Sequence, residues 1–302
     1  MSRAIPALAL AGLLVGSPAP ARADDAVERA VKFVETLKGD VLRNDDPDKL
    51  VYLVNLSGTK LTDEGLKELA PLKYLAFLDL TKTKVTDAGL KELAPFTGLS
   101  QLTLNDTAVT DAGLKELAPL KKLSGLGLAG TQVTDAGLRE LTGFQYLDHL
   151  VLARTAVTDA GVKELAPLKK LTSLNLAETK VTDAGAKELA QLKTLTWLHL
   201  TGTKLTDAGL KHLAALDKLT HVDLRSTEVT DAGLKDLAAM KKLTSLDLDG
   251  TQVTDAGLKD LAQLKTLRNL QLVGTKATDG GVKELRKALP KCTIVTSRPK
   301  PG

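Results

Sequence analysis

Trp197, the only tryptophan of the chain, and three of its four histidines are the residues best equipped for chemistry, and their spacing is regular. Trp197 and His221 stand 24 positions apart, as do His199 and Asp223, and Asp223 and Asp247. His199, His221 and Asp223 could together supply two nitrogens and one oxygen, the minimum protein ligand set of a catalytic zinc site. Trp197 with Arg225 offers a different chemistry, because tryptophan and arginine are enriched among the residues that dominate binding energy at interfaces. Which of the two is available depends on the elements that carry these side chains.

Those elements are set by a repeat. Thr-Asp recurs from Thr62-Asp63 through Thr86-Asp87, Thr110-Asp111 and onward to Thr278-Asp279, ten copies at a constant spacing of 24 residues. Tandem units without insertion or deletion specify a solenoid, since each unit can bury its apolar face only against its neighbours. Within one unit, Leu78 and Leu80 alternate with polar partners at the period of a strand, while Leu90 and Leu93 follow at helical spacing. Each unit is therefore expected to form a short strand, a turn and a short helix. Thr86 is placed to cap the helix, Asp87 to complement its dipole and to pair with Lys91, and Pro95 to end it.

The run Leu75-x-x-Leu78-x-Leu80-x-x-Thr83-x-Val85 resembles the leucine-rich-repeat family, and the Thr-Asp-Ala-Gly-Leu helix start is similar to ribonuclease-inhibitor-like and exported bacterial members. The resemblance covers roughly Val51 to Leu289. It implies an α/β solenoid or horseshoe of about ten repeats, with a parallel sheet on the concave face, short helices on the convex face, and binding as the function. One position departs from the family: Thr59, Thr83, Thr107, Thr131, Thr155, Thr179, Thr203, Thr227, Thr251 and Thr275 stand where Asn or Cys is usual. A hydroxyl can serve the backbone of the following turn, so these residues are expected to form an internal ladder continuing from unit to unit. An exposed threonine array that binds ice or sugar would need the opposite orientation, and the leucine phase points the column inward.

If Leu78 and Leu80 face the core, their neighbours face outward on the sheet in every unit. One outward row runs Leu53, Phe77, Gln101, Gly125, His149, Ser173, Trp197, His221, Ser245, Asn269, and the next runs Asn55, Asp79, Thr103, Gly127, Val151, Asn175, His199, Asp223, Asp247, Gln271. Trp197, His199, His221, Asp223, Arg225, Asp247 and Asp249 then form one patch across three units, the principal binding candidate. Phe77, Asp79 and His149 are secondary candidates. The zinc reading is disfavoured, because parallel strands aim such side chains outward rather than at a common centre, and no supporting shell is evident. Gly125, Gly127 and Gly130 leave a bare spot where a partner backbone could approach, or mark a weakened strand. His212 falls on the convex helix.

No other chemistry is legible. Phosphate-binding glycine loops, H-E-x-x-H, G-x-S-x-G and C-x-x-C are all missing from the sequence, so neither catalysis nor a metal or other cofactor is expected. The 41 basic and 37 acidic residues nearly balance. Lysines such as Lys67, Lys91, Lys115, Lys163, Lys187, Lys211, Lys235 and Lys259 recur with the helices among acids, giving a solvated face rather than a nucleic-acid track. The single cysteine, Cys292, rules out an internal disulfide framework and reads as a buried residue of the C-terminal cap.

The ends differ from the repeats. Residues 1–23 join basic Arg3, an apolar run from Ala4 to Val15 and an Ala21-Arg22-Ala23 cleavage pattern, the form of a secretory signal peptide cut after Ala23. The apolar run is too short to span a bilayer, and no transmembrane segment is expected after cleavage. Residues 24–50 carry Val27, Val31, Val34 and Leu37 at helical intervals and then Asp40 to Arg43, a capping helix and strand. They are too few for an F-box. Residues 51–289 hold the repeats, and residues 290–302 a closing strand from Cys292 to Val295 and a frayed tail. The expected product is a secreted or periplasmic, non-enzymatic scaffold that binds another protein through its sheet. The alternatives are a glycan or small-ligand binder using Trp197, His221 and Asp223, or a structural envelope protein.

Overall fold

The computed structural model describes residues 23–45 and 49–297; the signal segment but for Ala23, and the end of the tail, lie outside them. The chain opens with helix α1 (Ala23–Thr36) and strands β1 (Asp40–Arg43) and β2 (Val51–Asn55). Short strands and helices then alternate: α2 (Asp63–Leu66), β3 (Phe77–Asp79), α3 (Asp87–Leu90), β4 (Gln101–Thr103), α4 (Asp111–Glu116), β5 (Gly125–Gly127), α5 (Asp135–Leu138), β6 (His149–Val151) and α6 (Asp159–Glu164). The series continues with β7 (Ser173–Asn175), α7 (Asp183–Leu189), β8 (Trp197–His199), α8 (Asp207–Leu213), β9 (His221–Asp223), α9 (Asp231–Leu237), β10 (Ser245–Asp247), α10 (Asp255–Leu261), β11 (Asn269–Gln271), α11 (Asp279–Ala288) and β12 (Thr293–Val295).

All twelve strands form one sheet in sequence order. Only β1 and β2 pair antiparallel. From β2 on, each strand pairs parallel with the next at a register of one repeat, so Trp197 lies beside His221 and His199 beside Asp223. From β3 on, each strand is three residues long and carries one inward aliphatic side chain, such as Leu78, Leu198 or Val222, between two outward residues. Between sheet and helices runs a single aliphatic core in which Leu75, Leu80, Val85, Leu90 and Leu93 are sealed from solvent, as are their equivalents in the other units. Fully burying one such side chain is worth about 1.5–3 kcal/mol, and here the burial is supplied by adjacent repeats. At the amino end Ala30, Val31 and Val34 of α1 join this core; at the other end Val282 and Leu285 of α11 and Ile294 of β12 do so.

The threonine column faces inward. From Thr83 to Thr251 its members are 1–7% exposed, and only the terminal Thr59 and Thr275 are half-buried. Its bonding differs from the ladder expected between units. Each hydroxyl donates to the carbonyl three residues earlier in its own repeat, at 2.6–2.8 Å, as Thr83 does to Leu80. A threonine hydroxyl reaches its own strand's last carbonyl without spanning the gap to the next unit, so it closes the local turn instead.

The ladder between repeats is built by the Thr-Asp pair. Asp63 accepts the Thr86 backbone N–H at 2.8 Å and the Thr86 hydroxyl at 2.7 Å, and this pair of hydrogen bonds occurs nine times among the described residues, ending with Asp255 and Thr278. Thr86 Oγ1 in turn accepts from Ala88 N–H and caps its own helix. The aspartate is thereby committed to the following repeat, and no ion pair between Asp87 and Lys91 forms; the expected intrahelical pairing is replaced by a bond between units. Cys292 is half-buried at the core margin rather than buried.

Candidate functional site

The principal patch occupies the outward face of β8, β9 and β10 and the turns that follow. Trp197 remains 43% exposed. Its indole stacks on the His221 imidazole with ring centroids 3.7 Å apart and planes inclined by 13°, and His199 flanks it at 6.3 Å. The stack follows from the parallel register, which sets equivalent side chains side by side at about 4.8 Å. Thr220 fixes the imidazole from below. Its hydroxyl donates to the Thr196 carbonyl at 3.0 Å and lies 2.8 Å from His221 Nδ1. With its one proton spent, the hydroxyl accepts from Nδ1–H, leaving Nε2 an acceptor. Burial, with a further contribution from the charge of His199, lowers the His221 pKa.

Beside the rings lies a charge network. Arg225 grips the Asp223 carboxylate with Nη2 at 2.7 Å and Nε at 3.1 Å, and the Arg225 backbone N–H adds a third bond at 3.1 Å. His199 Nδ1 approaches the same carboxylate at 3.5 Å. Burial alone would push the Asp223 carboxyl up; the bonds from His199 and Arg225 outweigh it and hold the group well below the usual carboxylate range. Asp247, one strand on, meets Arg225 only at 3.4 Å. Burial, reinforced by the charges of Asp223 and Asp249, raises its pKa. Asp249 has a structural duty: its carboxylate accepts the Val273 N–H at 2.7 Å.

The structure therefore brings Trp197, His199, His221, Arg225 and Asp247 into one continuous surface with Asp223 buried among them, and Asp249 stands at its edge serving the backbone. The secondary candidates lie apart from it, Phe77 and Asp79 together on β3 and His149 on β6. Phe77 on β3 meets Tyr52 edge-on at 6.3 Å, and Asp79 caps its own turn by accepting from Thr81 N–H. His149 on β6 pairs with Asp148 at 2.5 Å. His212 is half-buried on α8. The bare spot expected at Gly125 and Gly127 is covered. The Gln101 side chain, whose amide donates to Ser124 Oγ, occupies the place a Cβ of Gly125 would take, and Thr103 and Asn105 press on Gly127. The glycines make room for neighbouring side chains rather than for a partner.

The His199, His221 and Asp223 trio does not converge. One imidazole is stacked and bonded to Thr220, the other turns toward Asp223, and Asp223 is held by Arg225. Among the described residues no three His, Cys, Asp or Glu side chains gather as a group able to hold a metal ion. No motif marks Thr220 as the support of His221; only its place one residue before the strand could have suggested it.

The family model for the leucine-rich repeat matches residues 53–70, 72–94, 168–190, 191–214, 217–238 and 239–262. Among solved structures, the chain is similar to an internalin (inlF) of Listeria monocytogenes, with a TM-score of 0.62 and 20% identity over 93% of this chain and 92% of that one. It is also similar to a leucine-rich-repeat protein of Leptospira interrogans, with a TM-score of 0.58 and 26% identity over 76% of this chain and 62% of that one. An internalin C2 of Listeria monocytogenes gives a TM-score of 0.54 at 23% identity, covering 84% and 92%. The search of curated proteins finds no match. Among the described residues no helix is long and apolar enough to cross a membrane.

Proposed function

The chain is a leucine-rich-repeat protein, and from that premise we propose that it is a non-enzymatic scaffold that acts outside the cytoplasm and captures a partner protein on its sheet face. The fold supplies the general role, since repeats that hide their aliphatic seam leave an extended surface free for recognition. The observation that carries the specific reading is the Trp197–His221 stack beside the Asp223–Arg225 pair. An aromatic anchor held at low entropy next to an arginine is the composition of a binding hot spot. The extracytoplasmic assignment rests on the signal-like pattern of residues 1–23.

The test is capture from a native envelope extract with the chain beginning at Asp24 as bait, followed by titration of the identified partner. Trp197→Ala with His221→Ala is expected to abolish capture and leave the melting temperature within a few degrees, because Trp197 is on the surface. Unchanged capture removes the reading. Glycan-array hits lost with the same substitutions would transfer the patch to a sugar, and polymerisation of the pure chain at physiological concentration would favour a structural envelope role.

A further inference from the structure

A second site lies away from the sheet face, along the edge where the strands begin. The loops entering β5 to β7 enclose a groove of about 910 Å³ lined by Lys121, Lys122, Tyr146, Asp148, Lys169 and Lys170. All four lysines are exposed, and among the described residues none has a carboxylate within ion-pair distance. The one acid in the groove, Asp148, is engaged by His149 at 2.5 Å. With four ammonium groups against one carboxylate, the groove is net positive. At its centre stands Tyr146, 54% exposed, with the Lys170 ammonium 4.2 Å from its ring centroid. The two lysine pairs belong to repeats two apart, so they flank the ring at a separation of about 10 Å.

The floor and the exposed Tyr146 ring together bear on the class of anion. Ser100, Ser124, Thr172 and Thr194 line it, and each hydroxyl already donates to a backbone carbonyl, those of Ala76, Ser100, Asp148 and Leu171 respectively. A hydroxyl whose proton is spent presents lone pairs, so the floor asks for donors while the lysines ask for acceptors. An acidic peptide has carboxylates for the lysines and backbone N–H groups for the floor, but no ring face for Tyr146. A sugar chain bearing carboxylates satisfies all three, with hydroxyls donating to the floor, carboxylates accepting from the lysines, and the C–H face of a ring lying on Tyr146.

We propose that this edge groove binds an acidic polysaccharide of the polyuronate type, independently of the Trp197 patch. The experiment is calorimetric titration of the chain from Asp24 with an alginate oligomer, a neutral dextran oligomer and poly-glutamate of similar length at low salt. Alginate is expected to bind, more weakly as salt rises, with dextran silent and poly-glutamate about fivefold weaker, for want of a ring face to cover Tyr146. Lys122→Gln with Lys170→Gln should weaken alginate about tenfold or more, and Tyr146→Ala about fivefold. The charge-matched pair Lys211→Gln with Lys235→Gln on the helix face, and Trp197→Ala, should leave it unchanged. Absence of alginate binding, poly-glutamate binding equally well, or an equal loss from the helix-face pair would each overturn the proposal.

Discussion

Trp197 and His221, one repeat apart in sequence, lie face to face with ring centroids at 3.7 Å. Because Trp197 is the only tryptophan, its fluorescence reports this contact directly. A protonated imidazole quenches a stacked indole, so emission is expected to fall as the pH drops through the His221 pKa. Burial and His199 lower that pKa from the ordinary 6.5, so the midpoint should lie below 6.5 and the transition should vanish in His221→Gln. The unfolded chain takes up this proton first on acidification. The stability tied to neutral His221 is therefore intact above 6.5 and is lost as the pH falls from there through the lower folded value. A midpoint above 6.5 would contradict the stacked, partly desolvated geometry.

Asp223 and Asp247 are register partners on adjacent strands, yet their environments push them in opposite directions. The Asp223 pKa is lowered, so its contribution is present above the ordinary 3.8 and is lost as the pH falls below it. The Asp247 pKa is raised, so stability tied to it increases as the pH falls through its folded value. At neutral pH, Asp223→Asn should cost roughly 1–2 kcal/mol in urea unfolding, the lower range for a charged hydrogen bond because Arg225 is partly solvated. Asp247→Asn should be neutral or slightly stabilising. The reverse order of the two variants would show that Arg225 is held by Asp247 instead.

The glycine of each Thr-Asp-Ala-Gly start has a steric reason. A Cβ on Gly161 would fall 2.3 Å from Asp135 Oδ1, the carboxylate that latches the previous repeat onto Thr158. Gly→Ala in an unconstrained helix gains up to about 1 kcal/mol; Gly161→Ala should instead lose about 1–3 kcal/mol by overpacking. Asp135→Ala, which breaks the latch, should partly relieve it, so the double variant loses less than the sum of the singles. Strict additivity in chemical denaturation would argue against the contact.

The 24-residue period, the inward leucines and the inward threonine column were legible because all three are matters of phase, and phase is written in the order of residues. The same phase placed Trp197, His221 and Asp223 on the outward face. What lies between repeats was harder to read. The Asp63 carboxylate serves Thr86 rather than Lys91, a choice set by how closely the units stack. Gln101 covers Gly125 because a long side chain leans across a strand boundary that a register table treats as empty. Asp249, at the edge of the patch, also binds the Val273 backbone, a bond to the next unit that phase does not show. The lysines beside Tyr146 were hidden for another reason: Lys73, Lys121, Lys169, Lys193, Lys241 and Lys265 share one loop position of the repeat, so nothing in the pattern separates a groove from an ordinary solvated turn.

The central claim is that partners are gripped on the sheet face at Trp197. Placing a photo-crosslinking amino acid at Ser173, the register neighbour of Trp197 on the sheet face, and in a second chain at Lys211 on the helix face, tests it most directly in native envelope extract. Partner adducts formed from position 173 and not from position 211 are the predicted result. Adducts from 211 alone would assign recognition to the helices and contradict the account.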